Sequence, residues 1–418
     1  MNSEPVTLPA RNAAPVPPFE RIAALDVLRG IALLGIFIMN MPGFTHSLFT
    51  PPVVEPAIAD RAVAAVRDAL FAGKFNLLFG FVFGIGFTLQ ITRLGGDGAG
   101  RGAVAVYCRR LAVLLAIGLI HAALLWPGDV LVVYAVLGFA LLAIRRWPDW
   151  ALLGLVAACL VYPAAADGFR PLLLSFETET LAAFQYQDFE TSNDLAFGHG
   201  SFADVVVESA RVFLWSYGSP LGLFSYAAFY VQMATGIVTG LLVGRRGWVQ
   251  RLAPLQPQVR RLQWLALGFV AVAAGVGWGA VGLGAGAAQP GQGAAGSALD
   301  FVAGFSKTIG RAALAAFYAL SVARLAGVHA ASPWLAPFAR AGRMPLSNYL
   351  LQTLMASFLF YGWGLGWWGR AGPATETLLA IALFFTVQLP LSSAWLARFR
   401  QGPVEWAWRR LTYRRAAA

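Results

Sequence analysis

Long apolar runs, separated by short polar clusters, divide this chain into ten segments of membrane-spanning length. They are 30–48, 72–92, 109–126, 129–145, 149–166, 223–244, 262–285, 305–326, 344–367 and 376–397. A membrane-crossing helix needs about 20 largely apolar residues, and each run approaches that length. The pattern predicts an all-α fold, a polytopic membrane helix bundle of about ten transmembrane helices. The first run is the most marked. It reads RIAALDVLRG, then IALLGIFIMN, then MPGFTH, with ionisable groups at both ends. Asp26 and Arg29 are three apart and share a helix face. Asn40 and His46 flank Pro42-Gly43, where a break in the helix is predicted. Broken backbone at membrane depth is tolerated beside protein or a water-filled cavity.

Arginine placement adds an orientation. Arg21 and Arg29 precede the first run, and Arg93, Arg101, Arg109 and Arg110 lie between the second and third. Arg145 and Arg146 follow the fourth run; Arg245, Arg246 and Arg251 follow the sixth. Arg340 and Arg343 precede the ninth run, and Arg398 and Arg400 follow the tenth. Ten spans with both termini cytoplasmic put all of these on the positive side. The opposite side then carries an acidic connection, 167–222, whose second half SFADVVVESARVFLWSYG mixes apolar and polar residues at helical spacing. That segment is either an amphipathic connector or one that dips into the bundle. The Gly/Ala-rich loop 286–304 reads as flexible. Residues 1–20 read as a disordered cytoplasmic leader, 21–398 as the transmembrane domain, and 399–418 as a basic cytoplasmic tail. Within the tail, GPVEWAWRRLTYRR suits a short helix on the membrane surface.

Composition agrees with this reading. The chain is 58% hydrophobic and only 12% charged, far from the balance of a soluble domain. The lipid bilayer is therefore the first partner. The net charge of +11 would suit nucleic acid, but the basic residues sit at helix ends, so no nucleic-acid partner is expected. Cys108 and Cys159 fall near opposite faces, and no metal-type Cys/His spacing is present; no disulfide and no metal site is predicted.

Several polar residues inside the spans are candidates for chemistry, because ionisable groups at membrane depth are costly. His46 can accept a proton near neutral pH. It is either a general base or a hydrogen-bonded loop residue. His121 lies near the end of the third run and needs a partner, which Asp129 or His46 can supply. Asp129 follows the Pro127-Gly128 turn, where it also suits a helix cap. Lys74 opens the second run and is expected to snorkel. Gly80 and Gly84 form a small-xxx-small pair suited to close helix packing. Arg343, Ser347, Asn348 and Gln352 make a polar stripe on the ninth run. They either join helices or line a cavity in which Arg343 meets a phosphate.

The runs LDVLRGIALLGI followed by Asn40, KF-LLFGFVFGIGF, RRLAVLLAIGLIHAALLWPGDVLVVYA, GRMPLSNYLLQ and GPVEWAWR resemble the YeiB-like family. The C-terminal part of that family, roughly 230–415 here, is a domain of unknown function, number 418. The likeness covers nearly the whole chain after residue 20. More distantly, the LD–LRG entry with its following Asn and His is similar to heparan-α-glucosaminide N-acetyltransferase and to acyltransferases that modify bacterial surface sugars. That resemblance implies an acyltransferase in the bacterial cytoplasmic membrane. Its donor would be acyl-CoA, acetyl-CoA above all, bound near Arg29, Arg343, Asn348 and Gln352. The acceptor would be extracytoplasmic: a glycan, a lipid or another surface compound. Asn40 and His46 match the family's Asn and catalytic His, with Asn40 as an oxyanion donor. Here they are six residues apart, closer than in the heparan enzyme, so His121 oriented by Asp129 stays a rival base. A transporter or flippase, or a non-catalytic scaffold, are the alternative readings; a homodimer is compatible with all of them.

Overall fold

The structure, a computed structural model, describes residues 23–47, 57–93, 101–174, 191–218, 220–285, 294–328 and 333–413. The leader 1–20 lies outside the described residues, as do 175–190 of the acidic connection, 286–293 of the Gly/Ala-rich loop and the last five residues of the tail. In chain order the helices are α1 (Ala23–Asn40), α2 (Ile58–Leu70), α3 (Lys74–Arg93), α4 (Arg101–Leu124), α5 (Leu131–Ile144) and α6 (Asp149–Leu174). Then come α7 (Phe202–Gly218), α8 (Pro220–Arg245), α9 (Gln256–Gly282), α10 (Ala294–Val328), α11 (Ala336–Gly342) and α12 (Pro345–Phe360). The chain ends with α13 (Pro373–Arg398), which contains a π turn at Phe384–Gln388, and α14 (Pro403–Tyr413). Among the described residues every regular element is helical.

Among the described residues seven helices are long and apolar enough to cross a membrane, α2 and α3 counting as one stretch, Ile58–Arg93. The three remaining predicted segments fall on α5, α6 and α12. The result is a polytopic membrane helix bundle. The ninth predicted span ran too far. Helix α12 stops at Phe360, and the chain then turns, with Gly364 N–H on the Tyr361 carbonyl at 2.9 Å and Leu365 N–H on the Phe358 carbonyl at 2.8 Å. Glycines at 362, 364 and 366 favour that turn, Gly366 at φ 66°.

Helix α1 is the hub. Its apolar residues face inward on nearly every side, Leu28, Leu33, Phe37 and Ile38 among the most buried. It packs against α3, α10, α11, α12 and α13. Glycines let its neighbours approach closely. A Cβ on Gly30 would overlap the Phe338 carbonyl, and one on Gly342 would overlap the Asp26 carbonyl. The LRG and GRMP motifs thus meet backbone to backbone. The α3–α8 pair uses the same device twice over. Gly80 and Gly84 on α3 lie against Met233 and Ile237, while Gly236 and Gly240 on α8 lie against Leu77 and Phe81. On the periphery, the α9–α10 hairpin exposes Trp264, Phe269 and Trp278. In a membrane such a face meets acyl chains.

Candidate functional site

The α1 helix is interrupted at Met41 and continues as one turn, Pro42–Thr45, before His46 adopts an extended backbone. Thr45 is fully buried. Its hydroxyl lies 2.5 Å from Glu376 Oε1 and 2.9 Å from His46 Nδ1. An ionised carboxylate only accepts hydrogen bonds, so Thr45 donates to Glu376. It then accepts from His46 Nδ1–H, which leaves His46 Nε2 with the basic lone pair. His46 Nδ1 is itself 3.5 Å from Glu376 Oε1, and the imidazole is 30% exposed.

Glu376 is completely buried, in the first turn of α13. Burying a carboxylate requires a partner. Arg67 Nη1 supplies one at 2.9 Å from Glu376 Oε2, and the helix N-terminus favours the negative charge. Arg67 stands two turns beyond Asp60 on α2, whose Oδ1 accepts the Ala374 N–H at 2.9 Å. Thus α2 is clamped to the start of α13 twice, by a cap and by an ion pair. Arg67, Thr45 and Glu376 were missed from the sequence. Helix α2 has no apolar run, and its partner is 309 positions away. The usable signal was a charged residue, Glu376, at the very mouth of an apolar segment.

His46 borders a small cavity of about 10 Å³, together with Ser47, Trp126, Asn193, Tyr361 and Trp368. That is room for about one water. Trp126 is fixed by donating from Nε1 to the Gly43 carbonyl at 3.1 Å. Asn193 donates to Ser47 Oγ at 3.1 Å. Asn193 Oδ1 and the Tyr361 hydroxyl are buried with no protein hydrogen-bond partner among the described residues. Aromatic rings close the walls, Tyr361 lying 4.9 Å from Phe197 and 5.8 Å from Trp368 between centroids. Phe197 belongs to a π turn, Asp194–His199, in the connection before α7. Helix α7 packs on α4 and α8 and buries Val205, Glu208 and Val212. The amphipathic segment is therefore a packed part of the bundle.

A second cluster holds the other histidine. His121 Nδ1 lies 2.7 Å from Asp129 Oδ1, and Nε2 lies 3.0 Å from Thr353 Oγ1. Asp129 Oδ2 accepts the Val132 N–H at 2.7 Å. The aspartate therefore caps α5 and orients the histidine at once. With Nδ1–H donated to Asp129, Nε2 accepts from Thr353. Tyr349 stacks obliquely on the imidazole at 5.1 Å. His121, Asp129 and Thr353 are all buried. His46 does not supply the partner; Asp129 does.

At the other end of α1, Arg29 donates to Asp26 at 2.6 Å within the helix. Arg343 donates to the Arg400 carbonyl at 3.3 Å. Asn348 and Gln352 are buried in helix-to-helix hydrogen bonds. Asn348 Nδ2 reaches the Ala341 carbonyl and Ser392 Oγ, both at 3.0 Å. Gln352 Nε2 reaches the Leu33 carbonyl at 3.1 Å and Gln388 Oε1 at 2.9 Å. The donor-binding role expected of these two amides meets a different arrangement, in which their N–H groups join α12 to α1, α11 and α13. Asn40 is half-buried and makes no side-chain hydrogen bond among the described residues. The tail helix docks more firmly than a surface helix. Glu405 is buried and accepts the Leu346 N–H at 2.7 Å, the Ser347 N–H at 3.1 Å and the Ser347 hydroxyl. Burial pushes its carboxyl above the usual glutamate range, against the opposing pull of those hydrogen bonds. Arg110 lies over the Trp408 ring at 3.7 Å.

Residues 243–415 match the family model described as a protein of unknown function, DUF418. The chain is 31% identical to the uncharacterized protein YxaH of Bacillus subtilis (strain 168), covering 94% of each chain. It is 29% identical to the uncharacterized protein YeiB of Escherichia coli (strain K12), covering 95% of this chain and 97% of that one. It is also 29% identical to an uncharacterized 39.9 kDa protein in the amylase 3′ region of Bacillus acidopullulyticus, covering 95% of both. With this likeness running the full length of a helical membrane bundle, the chain belongs to the YeiB-like DUF418 family.

Proposed function

We propose that this protein is a membrane-embedded acyltransferase that moves an acyl group from cytosolic acyl-CoA, acetyl-CoA first among them, to an acceptor on the far side of a bacterial cytoplasmic membrane. The observation that carries the reading is the His46 relay. A partly exposed imidazole has Nδ1 engaged by Thr45, Nε2 left basic, and a buried Glu376 behind it. A base so oriented takes a proton from an acceptor hydroxyl or amine. The acyl–sulfur bond breaks as the acyl–oxygen or acyl–nitrogen bond forms, and the proton passes to the departing CoA thiolate. Glu376, held by Arg67, steadies the imidazolium through Thr45. Asn40 is proposed to donate to the developing oxyanion. Trp126, Tyr361 and Trp368 wall this cavity, which has room for about one water, so an acceptor would present only its reacting hydroxyl or amine there. Arg29 and Arg343, on the side we assign to the cytoplasm with both termini, are proposed to meet the donor's phosphates; Asn348 and Gln352 support that end by joining its helices.

The test uses purified protein in liposomes with radiolabelled acetyl-CoA on one face and candidate glycan acceptors on the other. Label in the acceptor supports the reading, and its loss in His46→Ala ties it to this residue. A second reading, transport, draws on the buried His121–Asp129 pair as a proton relay. Movement of unmodified solute with no label transfer would favour it and overturn the first.

A further inference from the structure

A larger cavity of about 230 Å³ lies between α3, α6, α8 and α10. It shares no lining residue with the cavity beside His46. Leu77, Leu160 and Phe229 form its apolar wall; Gln232, Thr308 and Arg311 form its polar wall. Arg311 stands inside a helical stretch, Ala298–Ala326, that is long and apolar enough to cross the membrane. Arginine in such a place is costly and marks a ligand path by default. Lys307 is one turn earlier on the same face. Lys74 is near enough to both for their positive charges to act on its own, while Asp68 acts in the opposite sense. Lys74 does not snorkel outward. It is buried, and its Nζ donates to the Asp68 carbonyl at 2.8 Å. The turn before α3 holds this rim in place. Gly73 has φ 75°, and a Cβ there would run into the Gln232 amide and sit 3.3 Å from Arg311 Cδ.

We propose that this cavity binds a phosphate group, free or at the head of a lipid, between Arg311 and Gln232. The guanidinium offers forked donors that match phosphate oxygens. Lys307 and Lys74 add positive charge, and the apolar wall suits the first carbons of a lipid tail. The proposal does not rest on the acyl-transfer reading.

Cys159 lines the cavity and serves as the reporter. Full-length protein carrying Cys108→Ser is purified in non-ionic detergent, and modification of Cys159 by N-ethylmaleimide is timed. Phosphatidylglycerol is expected to slow modification by about threefold or more, and diacylglycerol with the same chains is not, since it lacks the group that Arg311 grips. Slowing by inorganic phosphate as well identifies the free ion as a sufficient ligand; slowing by the lipid alone identifies the headgroup. Arg311→Gln removes the protection, and Arg311→Lys retains part of it because an ammonium lacks the fork. Lys307→Gln, at an exposed position, weakens protection and keeps the test open if the Arg311 variants fold poorly. Equal protection by phosphatidylglycerol and diacylglycerol, no protection by any phosphate compound, or undiminished protection in a folded Arg311→Gln protein would overturn the proposal.

Discussion

Two clusters in this bundle are made of the same three kinds of residue, a histidine, a threonine and a carboxylate, wired in different orders. At His46 the threonine stands in the middle, between imidazole and Glu376. At His121 the imidazole stands in the middle, between Asp129 and Thr353. The order decides what each histidine can do. His121 has both ring nitrogens occupied, tying α4 to the start of α5 and to α12. His46 has one nitrogen occupied and borders a cavity. Charge differs too. Arg67 balances Glu376, whereas Asp129 relies on an imidazole and a backbone N–H. Composition alone makes these clusters equivalent; connectivity leaves Nε2 open at His46 and occupied at His121.

That distinction is open to direct attack. His46→Ala is expected to lower acyl transfer by about 10²–10⁴-fold, the usual worth of a general base, with the melting temperature in detergent little changed. His121→Leu is expected to act on stability instead, by about 3 kcal/mol, because Asp129 loses its partner while still buried; thermal unfolding measures it. If His121→Leu folds normally and loses turnover while His46→Ala keeps it, the roles assigned to the two clusters are reversed. Thr45→Val breaks the bridge to Glu376 and is expected to slow turnover roughly tenfold, the worth of one hydrogen bond. Thr353→Val is its counterpart, expected to cost about 1 kcal/mol of stability with turnover retained. A matched rate loss in both threonine variants would erase the contrast.

Glu405 gives the smallest and most specific test, since it acts on the helix that carries Thr353. Its carboxyl is raised in the folded protein, so the fold favours the protonated form. The stability this confers is present below the unfolded carboxyl's range, near pH ~4.3, and declines as pH rises through the raised folded value. Glu405→Gln cannot ionise and is expected to flatten that slope in melting curves taken between about pH 4 and 8. Glu405→Ala removes the cap, and about 1 kcal/mol with it.

The parts of the molecule that sequence made legible are those set by local pattern. Apolar length marked the helices, Gly80 and Gly84 announced a close crossing, and Pro127-Gly128-Asp129 announced a turn with a cap. His121 and Asp129 are only eight positions apart, joined by that turn, and their pairing was foreseeable. The His46 site was half visible. His46 stood out as a polar residue after a long apolar run, but its supports come from α2 and α13. Neither Arg67 nor Glu376 belongs to a local pattern that includes His46, and only folding brings them together. The amide stripe on α12 was visible as a stripe. Which side of the choice it took, joining helices or lining a cavity, depended on where Ser392 and Gln388 landed.

The cap on α12 bears on how the protein is made. Pro345 lacks an N–H, Met344 supplies no side-chain cap, and the buried amides of Leu346 and Ser347 are met by a carboxylate about sixty residues downstream. The helix bearing Thr353 is therefore synthesised some sixty residues before the carboxylate that caps its first turn. The earlier helices are made before this cap exists, so the first turn of α12 takes up its last hydrogen bonds after them. A chain ending before Glu405 would leave the amides of Leu346 and Ser347 without that partner, inside a bundle where little else can take its place.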